Sequence, residues 1–170
     1  LEGDPFSVLE GMLLGAYAIG ASEGIVYVRE EYPLAVEKIT AAIGLLKRQG
    51  LLGKNILGSG FAFTVRVAKG AGAFVCGEET ALLASLAGFA GEPQPRPPYP
   101  VEQGLQGQPT CINNVETLAT IPVIISRGGG WFARIGTRGS TGTKIFSLVG
   151  AVERVGLVEV PMGITLKDIV

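Results

Sequence analysis

Apolar residues near the start of the chain recur at the spacing of one face of an α-helix. Asp4 and Pro5 supply an N-cap and a proline at the first helical position, so the pattern predicts a helix over residues 4–21. A β-branched and aromatic run predicts a strand over 24–28, and helical spacing after Pro33 predicts a second helix. Because a strand then lies between two helices, we expect an α/β fold with a parallel sheet.

Alternating apolar and polar side chains predict a half-exposed strand over residues 61–67. A glycine turn, Lys69 to Gly72, follows, and an apolar helix is predicted over 81–87. Strand, glycine turn and helix form an anion-binding geometry, yet Glu78 and Glu79 already place negative charge at the helix start. These carboxylates favour a neutral or donor-rich ligand over phosphate. The alternative interpretation is that both glutamates only cap the helix.

Five prolines between residues 91 and 100 predict an extended polyproline II arm that joins neither a helix nor a sheet. The arm has a cation, Arg96, and an aromatic ring, Tyr99, at positions suited to phosphate pairing and base stacking on a nucleotide. The alternative is a linker or a ligand for an SH3-type domain.

Two adjacent asparagines, Asn113 and Asn114, stand where the pattern predicts another apolar helix. Asn113 and Glu116 have the spacing of a capping box. One asparagine suffices as a cap, so the amide of the other is available to a ligand that needs both a donor and an acceptor. Pro122 lies inside the helical pattern and is expected to kink or restart the helix.

The last part of the chain has the pattern of a separate domain. A loop rich in glycine and small hydroxyl residues, 134–143, is the predicted boundary. Apolar runs over 144–152 and 156–160 predict a hairpin, and Thr165 is the predicted N-cap of a following helix. Two strands followed by a helix are the expected start of a ubiquitin-like β-grasp domain.

Composition narrows the possible functions. The chain has 170 residues, of which 47% are hydrophobic and 17% charged, so it is not a disordered chain, and its net charge of −1 favours neither nucleic acid nor an anionic membrane. The absence of histidine removes histidine-based nucleophile activation and metal ligation, and no metal site is predicted. Two cysteines are too few for a disulfide scaffold and favour a reducing cytoplasm. The apolar runs are shorter than the roughly 20 residues of a membrane-spanning helix.

Three motifs carry a family resemblance: GAGAFVCGEET at 70–80, RPPYP at 96–100 and PTCINNVET at 109–117. In this order they closely resemble the NADH-binding flavoprotein subunit of respiratory complex I and its relatives in NAD(P)-linked hydrogenases and formate dehydrogenases. The segments around Asp4, Met12 and Tyr17 fit the same family, so the similarity extends over essentially the whole chain.

The resemblance implies site residues. Glu79 is the catalytic candidate because it faces the nicotinamide, whereas Arg96 and Tyr99 lie on the NADH side, held apart from both glutamates and both asparagines. Arg96 and Tyr99 stand where the family usually has lysine and phenylalanine, and Phe74 replaces its common tyrosine. The residues implied at FMN are Phe74, Gly77, Glu78, Glu79, Ile112, Asn113, Asn114 and Thr117.

The implied fold is a Rossmann-like three-layer FMN-binding domain over residues 1–140, followed by the truncated start of a β-grasp, soluble-ligand-binding domain over 141–170. The family's phosphate-binding glycine loop is expected upstream of Leu1, and its iron–sulfur cysteines are expected downstream of Val170. The chain is therefore expected to be an internal fragment that has part of an FMN and NADH site and is inactive by itself.

The implied function is electron transfer between NAD(P)H, FMN and iron–sulfur clusters. The expected partners are a nicotinamide dinucleotide and iron–sulfur subunits of a larger complex, with no nucleic acid and no direct membrane insertion. The expected location is the cytoplasm, with attachment to a membrane complex only through other subunits. The alternative is a non-catalytic fragment whose β-grasp part serves subunit contact or soluble-ligand binding.

Overall fold

The computed structural model describes residues 1–70 and 73–170. These residues form two compact units, 1–120 and 121–170. The boundary predicted at residue 140 falls inside the second unit. Ala71 and Gly72, which belong to the predicted glycine turn, lie outside the described residues.

The first predicted helix is confirmed as α1, Pro5–Ile19. Oδ1 of Asp4 accepts hydrogen bonds of 3.1 Å from the backbone nitrogens of Ser7 and Phe6. The bond from Ser7 is the main cause that lowers the pKa of the Asp4 carboxyl. The helix ends at Gly20, whose φ of 73° is left-handed and therefore favours glycine.

The first unit is built on a two-stranded parallel sheet, which confirms the predicted parallel pairing. Its strands are β1, Glu23–Arg29, and β2, Thr64–Gly70, and the connection between them contains α2, Pro33–Arg48. The register pairs Arg29 with Gly70, so both strands end at the same edge of the sheet. In α/β folds this carboxyl edge is where ligands bind.

The strand predicted over 61–67 begins later than expected, at Thr64. Phe63 instead exchanges two backbone hydrogen bonds with Gly53, of 2.8 and 2.9 Å, in an isolated antiparallel bridge. The bridge therefore ties Phe63, just before β2 begins, to the loop that follows α2. Phe63 is fully buried there, and Phe61 packs against the core, so the alternating pattern reports their burial rather than membership of the strand.

Two further helices follow β2. They are α3, Glu79–Leu86, which begins two residues before the predicted start, and α4, Val115–Arg127. The chain runs unbroken through Pro122 of α4 instead of restarting there. Short 3₁₀ turns cover Ile56–Gly58, Phe74–Gly77 and Leu105–Gly107.

The hydrophobic core of the first unit lies between β1, β2 and the first two helices. Side chains of β1 alternate, so that Val26 and Val28 are buried in this core while Tyr27 and Arg29 belong to the other face. Gly11 of α1 meets the backbone carbonyl of Leu118 so closely that a Cβ atom would overlap it. The buried residues are Leu9, Ala16, Val26, Val28, Ala35, Ile39, Ala42, Ile43, Leu52, Ile56, Phe63 and Val65.

The second unit contains the predicted hairpin. Its strands β5, Thr143–Leu148, and β6, Gly156–Pro161, pair antiparallel, with Leu148 opposite Gly156. Thr165 is confirmed as the N-cap of α6, Leu166–Ile169, because its hydroxyl accepts a hydrogen bond from the backbone nitrogen of Asp168. The predicted boundary loop contains a small hairpin of its own. The remaining elements are α5, Gly129–Phe132, β3, Gly136–Thr137, and β4, Ser140–Thr141.

None of the helices in the described part of the chain is long and apolar enough to cross a membrane.

Candidate functional site

The candidate site lies where the chain leaves β2 and enters α3. A 3₁₀ turn, Phe74–Gly77, delivers the chain to Glu78, whose extended backbone makes it the N-cap of α3. Oε2 of Glu78 accepts bonds of 2.9 Å from the backbone nitrogens of Thr80 and Ala81, and a further bond from the Thr80 hydroxyl. These bonds, the Thr80 hydroxyl first, lower the pKa of the Glu78 carboxyl.

The two predicted glutamates have different roles in this structure. Glu78 is a helix cap, which agrees with the capping interpretation for that residue. Glu79 is the first residue of α3, and its carboxylate pairs with Arg96 instead of capping the helix. A carboxylate in the first helical turn also complements the helix dipole.

The proline arm forms no helix or strand, as predicted, but it is not a straight spacer. Its backbone bends over residues 96–98, and the peptide bonds before Pro97 and Pro98 are cis. The Gln94 backbone nitrogen donates a 2.7 Å hydrogen bond to the hydroxyl of Thr80, which ties the arm to the start of α3.

The expectation that the arm holds Arg96 apart from the two glutamates is wrong. Nη1 of Arg96 lies 3.5 Å from Oε2 of Glu79, and Nη2 lies 3.9 Å from Oε1 of Glu78. The physical reason is the bond between Gln94 and Thr80, because it anchors the arm two residues before the arginine.

Tyr99, the aromatic residue of the arm, remains open to solvent. Its side chain is 51% exposed, and its backbone nitrogen donates a 3.1 Å hydrogen bond to the Glu102 carboxylate. The described aromatic and cation–π contacts do not include this ring, so its face is available to a ligand.

A cleft of about 770 Å³ opens beside the Glu78 turn. Phe74 is 85% exposed at its rim, and the guanidinium carbon of Arg29 lies 5.9 Å from the centre of the Phe74 ring. The hydroxyls of Tyr27 and Ser85 share a 3.1 Å hydrogen bond, and burial raises the pKa of the Tyr27 phenol. The lining residues are Tyr27, Arg29, Phe74, Val75, Cys76, Gly77, Glu78 and Leu82.

Tyr27 and Arg29 are cleft residues that the sequence analysis missed. Both come from the carboxyl end of β1, on the face opposite the buried valines. Alternation along the strand together with the rule that ligands bind at strand carboxyl ends would have identified them. Nε of Arg29 is buried and has no hydrogen-bond partner in the described structure.

The second predicted group of flavin residues surrounds the start of α4. Asn114 is the cap, because its Oδ1 accepts a 3.0 Å hydrogen bond from the backbone nitrogen of Glu116, which decides between the two asparagines that the sequence left open. The Asn113 amide donates instead to the sulfur of Cys111 at 3.2 Å. Thr117 is exposed and Ile112 is half-buried.

The structure therefore brings together only some of the predicted site residues. Phe74, Gly77 and Glu78 share the cleft, and Arg96 links Glu78 to Glu79. The hydrogen bonds described for the asparagine pair are local to residues 111–116 and do not reach this group. Among the described residues, no cluster of three or more His, Cys, Asp or Glu side chains is placed to hold a metal ion.

Known proteins with similar sequences are named as subunits of a hydrogenase and of NADH-quinone oxidoreductases. The chain is 55% identical over all its residues to subunit HndC of the NADP-reducing hydrogenase of Solidesulfovibrio fructosivorans, and 48% identical to an NADH-quinone oxidoreductase subunit of Aquifex aeolicus. It spans 35% and 40% of the length of these two relatives.

A solved structure has a similar fold. An NAD⁺-reducing [NiFe]-hydrogenase in the H₂-reduced state matches 97% of this chain, and 28% of its own chain, with a TM-score of 0.86 and 42% sequence identity. Residues 1–123 match the family model of the Nuo51 FMN-binding domain. The chain therefore belongs to the Nuo51 FMN-binding domain family.

Proposed function

We propose that this chain is part of a longer FMN flavoprotein subunit that transfers electrons between a nicotinamide dinucleotide, FMN and iron–sulfur clusters. One observation supports the proposal above all: residues predicted to bind FMN and a residue predicted to bind the dinucleotide lie together at the turn before α3. The flavin-side residues Gly77 and Glu78 line the cleft, and the dinucleotide-side Arg96 pairs with Glu78 and Glu79 beside it.

The residues of the cleft fit a flavin ring. A cleft of about 770 Å³ is within the usual range for small-molecule sites. Phe74 presents an exposed aromatic face at its rim, and Arg29 has a buried Nε donor without a partner in the described structure. Both features suit a planar ligand with hydrogen-bond acceptors.

We assign FMN binding to residues of both predicted groups and hydride positioning to Glu79. When bound, FMN accepts a hydride and releases single electrons, while the protein supplies binding, orientation and electrostatics. The carboxylate of Glu79 is the group proposed to face the nicotinamide. The proposed FMN-binding residues are Phe74, Gly77, Glu78, Glu79, Ile112, Asn113, Asn114 and Thr117.

Arg96 and Tyr99 are the proposed contacts of the dinucleotide. Arg96 offers a cation on the arm, and the exposed ring of Tyr99 offers a face for stacking. Compared with the lysine and phenylalanine that are usual in the family, Arg96 keeps the charge and Tyr99 keeps the aromatic ring.

The names of the relatives support partner subunits in a larger complex, because those proteins are called subunits of a hydrogenase and of a quinone oxidoreductase. We propose iron–sulfur subunits as partners and the cytoplasm as the location. Residues 1–140 would form the FMN domain, and 141–170 would begin a β-grasp domain, an assignment supported by the hairpin followed by α6.

An alternative function is a non-catalytic role of the hairpin in subunit contact or soluble-ligand binding. It is favoured by apolar side chains exposed on and beside the hairpin, among them Val149, Val155 and Leu157.

Flavin absorbance tests the proposal. The purified complete subunit should contain stoichiometric FMN, and NADH or NADPH should bleach its absorbance under anaerobic conditions. A folded subunit that purifies without flavin and binds none on titration would exclude the catalytic function and favour the alternative role.

A further inference from the structure

Thr80 is not among the residues proposed to bind the flavin or the dinucleotide, but its hydroxyl links α3 to the proline arm. Among residues 1–70 and 73–170 it is the only buried polar or charged side chain, with 8% of its surface exposed. Its hydroxyl donates to Oε2 of Glu78 and accepts the backbone N–H of Gln94 at 2.7 Å. One hydroxyl therefore joins the cap of α3 to an arm fourteen residues further along the chain.

The hydrogen bond between Gln94 and Thr80 restricts the position of Arg96 on the arm. Only Pro95 lies between the two residues, and the ring of proline fixes its φ. The residue before a proline is also restricted to extended backbone. Because these restrictions leave little rotational freedom, fixing the nitrogen of Gln94 narrows the range of positions open to the backbone of Arg96.

The ion pairs of Arg96 are too weak to hold the arm by themselves. They span 3.5 and 3.9 Å, and the three side chains are between one third and one half exposed. Exposed pairs of this kind contribute little stability, because water screens them and side-chain entropy opposes them. The Thr80 bond, in contrast, is short and partly buried, since Thr80 itself is almost inaccessible to water.

We propose that Thr80 is a positioning residue for the nicotinamide dinucleotide: its hydroxyl clamps the proline arm to α3 and thereby sets Arg96 beside Glu79. The proposal depends on the proposed function, because it assumes that Arg96 contacts the dinucleotide. In this role Thr80 touches neither cofactor and acts through the arm.

The clamp can be observed directly by hydrogen exchange. Between residues 92 and 100 only Glu92, Gln94, Arg96 and Tyr99 have a backbone N–H, because the others are prolines. In the complete FMN-loaded subunit, a peptide covering this stretch should lose the protection of one amide in Thr80→Val. Thr80→Ser keeps the hydroxyl and should retain that protection. Equal exchange in the wild type and Thr80→Val would overturn the clamp.

Binding of NAD⁺, followed by calorimetry, tests the functional part without turnover. Thr80→Val should raise the dissociation constant about 3- to 10-fold, the effect of losing one net hydrogen bond, with normal FMN content. Thr80→Ser should restore wild-type affinity. In NADH oxidation, the KM should rise while kcat is retained, as expected when only binding is lost. Unchanged affinity in Thr80→Val would contradict the proposal.

A second variant removes the bond from the other side. Gln94→Pro deletes the donor N–H without changing Thr80 or the cap of α3, so it remains informative if Thr80→Val does not fold. It should weaken NAD⁺ binding to the same extent. The matched control is Thr120→Val, since the Thr120 hydroxyl also makes a hydrogen bond, of 2.8 Å to the Glu116 carbonyl, but belongs to α4.

A double variant separates failure of this inference from failure of the proposed function. If Thr80 acts through Arg96, adding Thr80→Val to Arg96→Ala should weaken NAD⁺ binding no further. If Arg96→Ala alone leaves the affinity unchanged, the dinucleotide role of Arg96 in the proposed function is wrong. If Arg96→Ala weakens binding but Thr80→Val and Gln94→Pro do not, only the positioning role is wrong.

Discussion

Nη1 of Arg96 lies 3.5 Å from Oε2 of Glu79, so a cation of the proline arm faces a carboxylate of the first turn of α3. The side chains are 43% and 48% exposed, and an ion pair this accessible contributes about 0–1 kcal/mol. A ligand can therefore replace either partner with little effect on the free energy of unfolding.

Glu79→Gln should change turnover more than folding. The glutamine keeps the shape of the side chain but removes the charge, and the cap of α3 is on Glu78 instead. In the complete subunit we expect kcat/KM for NADH to fall about tenfold or more, since hydrogen bonds to charged groups contribute about 1.5–3 kcal/mol. Flavin content should stay normal, as it should in the exposed control Glu37→Gln. Loss of soluble protein would instead show that the charge of Glu79 serves the stability of α3.

Glu78→Ala should lower stability in a pH-dependent way. The hydrogen bonds of the cap hold the folded pKa of this carboxyl below its ordinary value of 4.5. The cap therefore stabilises the fold above that value, and its contribution is lost as the pH falls through the folded pKa. We expect the variant to have a lower Tm than the wild type near neutral pH, with the difference shrinking in acid. A difference that is constant with pH would contradict a carboxylate cap.

Tyr99→Ala should weaken binding of the dinucleotide and leave FMN bound. The exposed ring is available for stacking, and loss of a stacked base contact costs about 1–3 kcal/mol. The KM for NADH should rise by the corresponding factor, whereas Tyr99→Phe should behave like the wild type. An unchanged KM in Tyr99→Ala would show that this part of the arm is a linker.

The 170-residue chain alone should bind FMN weakly or not at all while keeping its fold. Nη2 of Arg29, the cation that lines the cleft, lies 2.9 Å from the carboxylate of Glu31, and Arg96 is paired with the two glutamates at the start of α3. A flavin phosphate would have to compete with these carboxylates for each cation, which offsets part of the about 1.5–3 kcal/mol that a charge-assisted bond contributes. Titration with FMN, followed by flavin fluorescence, checks this; a tight stoichiometric complex would contradict it.

Gly11→Ala should destabilise the first unit. The added methyl would overlap the carbonyl of Leu118, and overpacking of this kind costs about 1–3 kcal/mol. Gly15 lies on the same helix with nothing near its Cβ position, so Gly15→Ala should stabilise the chain by about 0.5–1 kcal/mol. Thermal unfolding of both variants measures the contrast, and equal Tm values would show that the two helices separate easily at Gly11.

Local sequence signals were sufficient for most helices and for the parallel pair of strands. The cap at Asp4 acts within three residues, and the alternation in β1 reports which face is buried. The same signals misplaced the start of β2, because Phe63 is buried by a bridge to Gly53, ten residues earlier, and not by the strand.

The arrangement of the site was less accessible from sequence. The proline pattern predicts that the arm joins no sheet, but contact between the arm and α3 depends on one hydrogen bond between Thr80 and Gln94. Such a long-range contact leaves no periodic trace in the sequence. Likewise, asparagine is a favoured cap at either position of the pair, and only the folded backbone selects Asn114.

The carboxylate of Glu78 divides its two oxygens between separate tasks. Oε2 receives the three bonds of the helix cap, and Oε1 faces Arg96. A shorter or neutral side chain cannot serve both, so a selection for soluble expression alone would restrict this position to residues that can cap a helix. Glu79, free of the cap, would vary under that selection and become restricted only when growth depends on electron transfer.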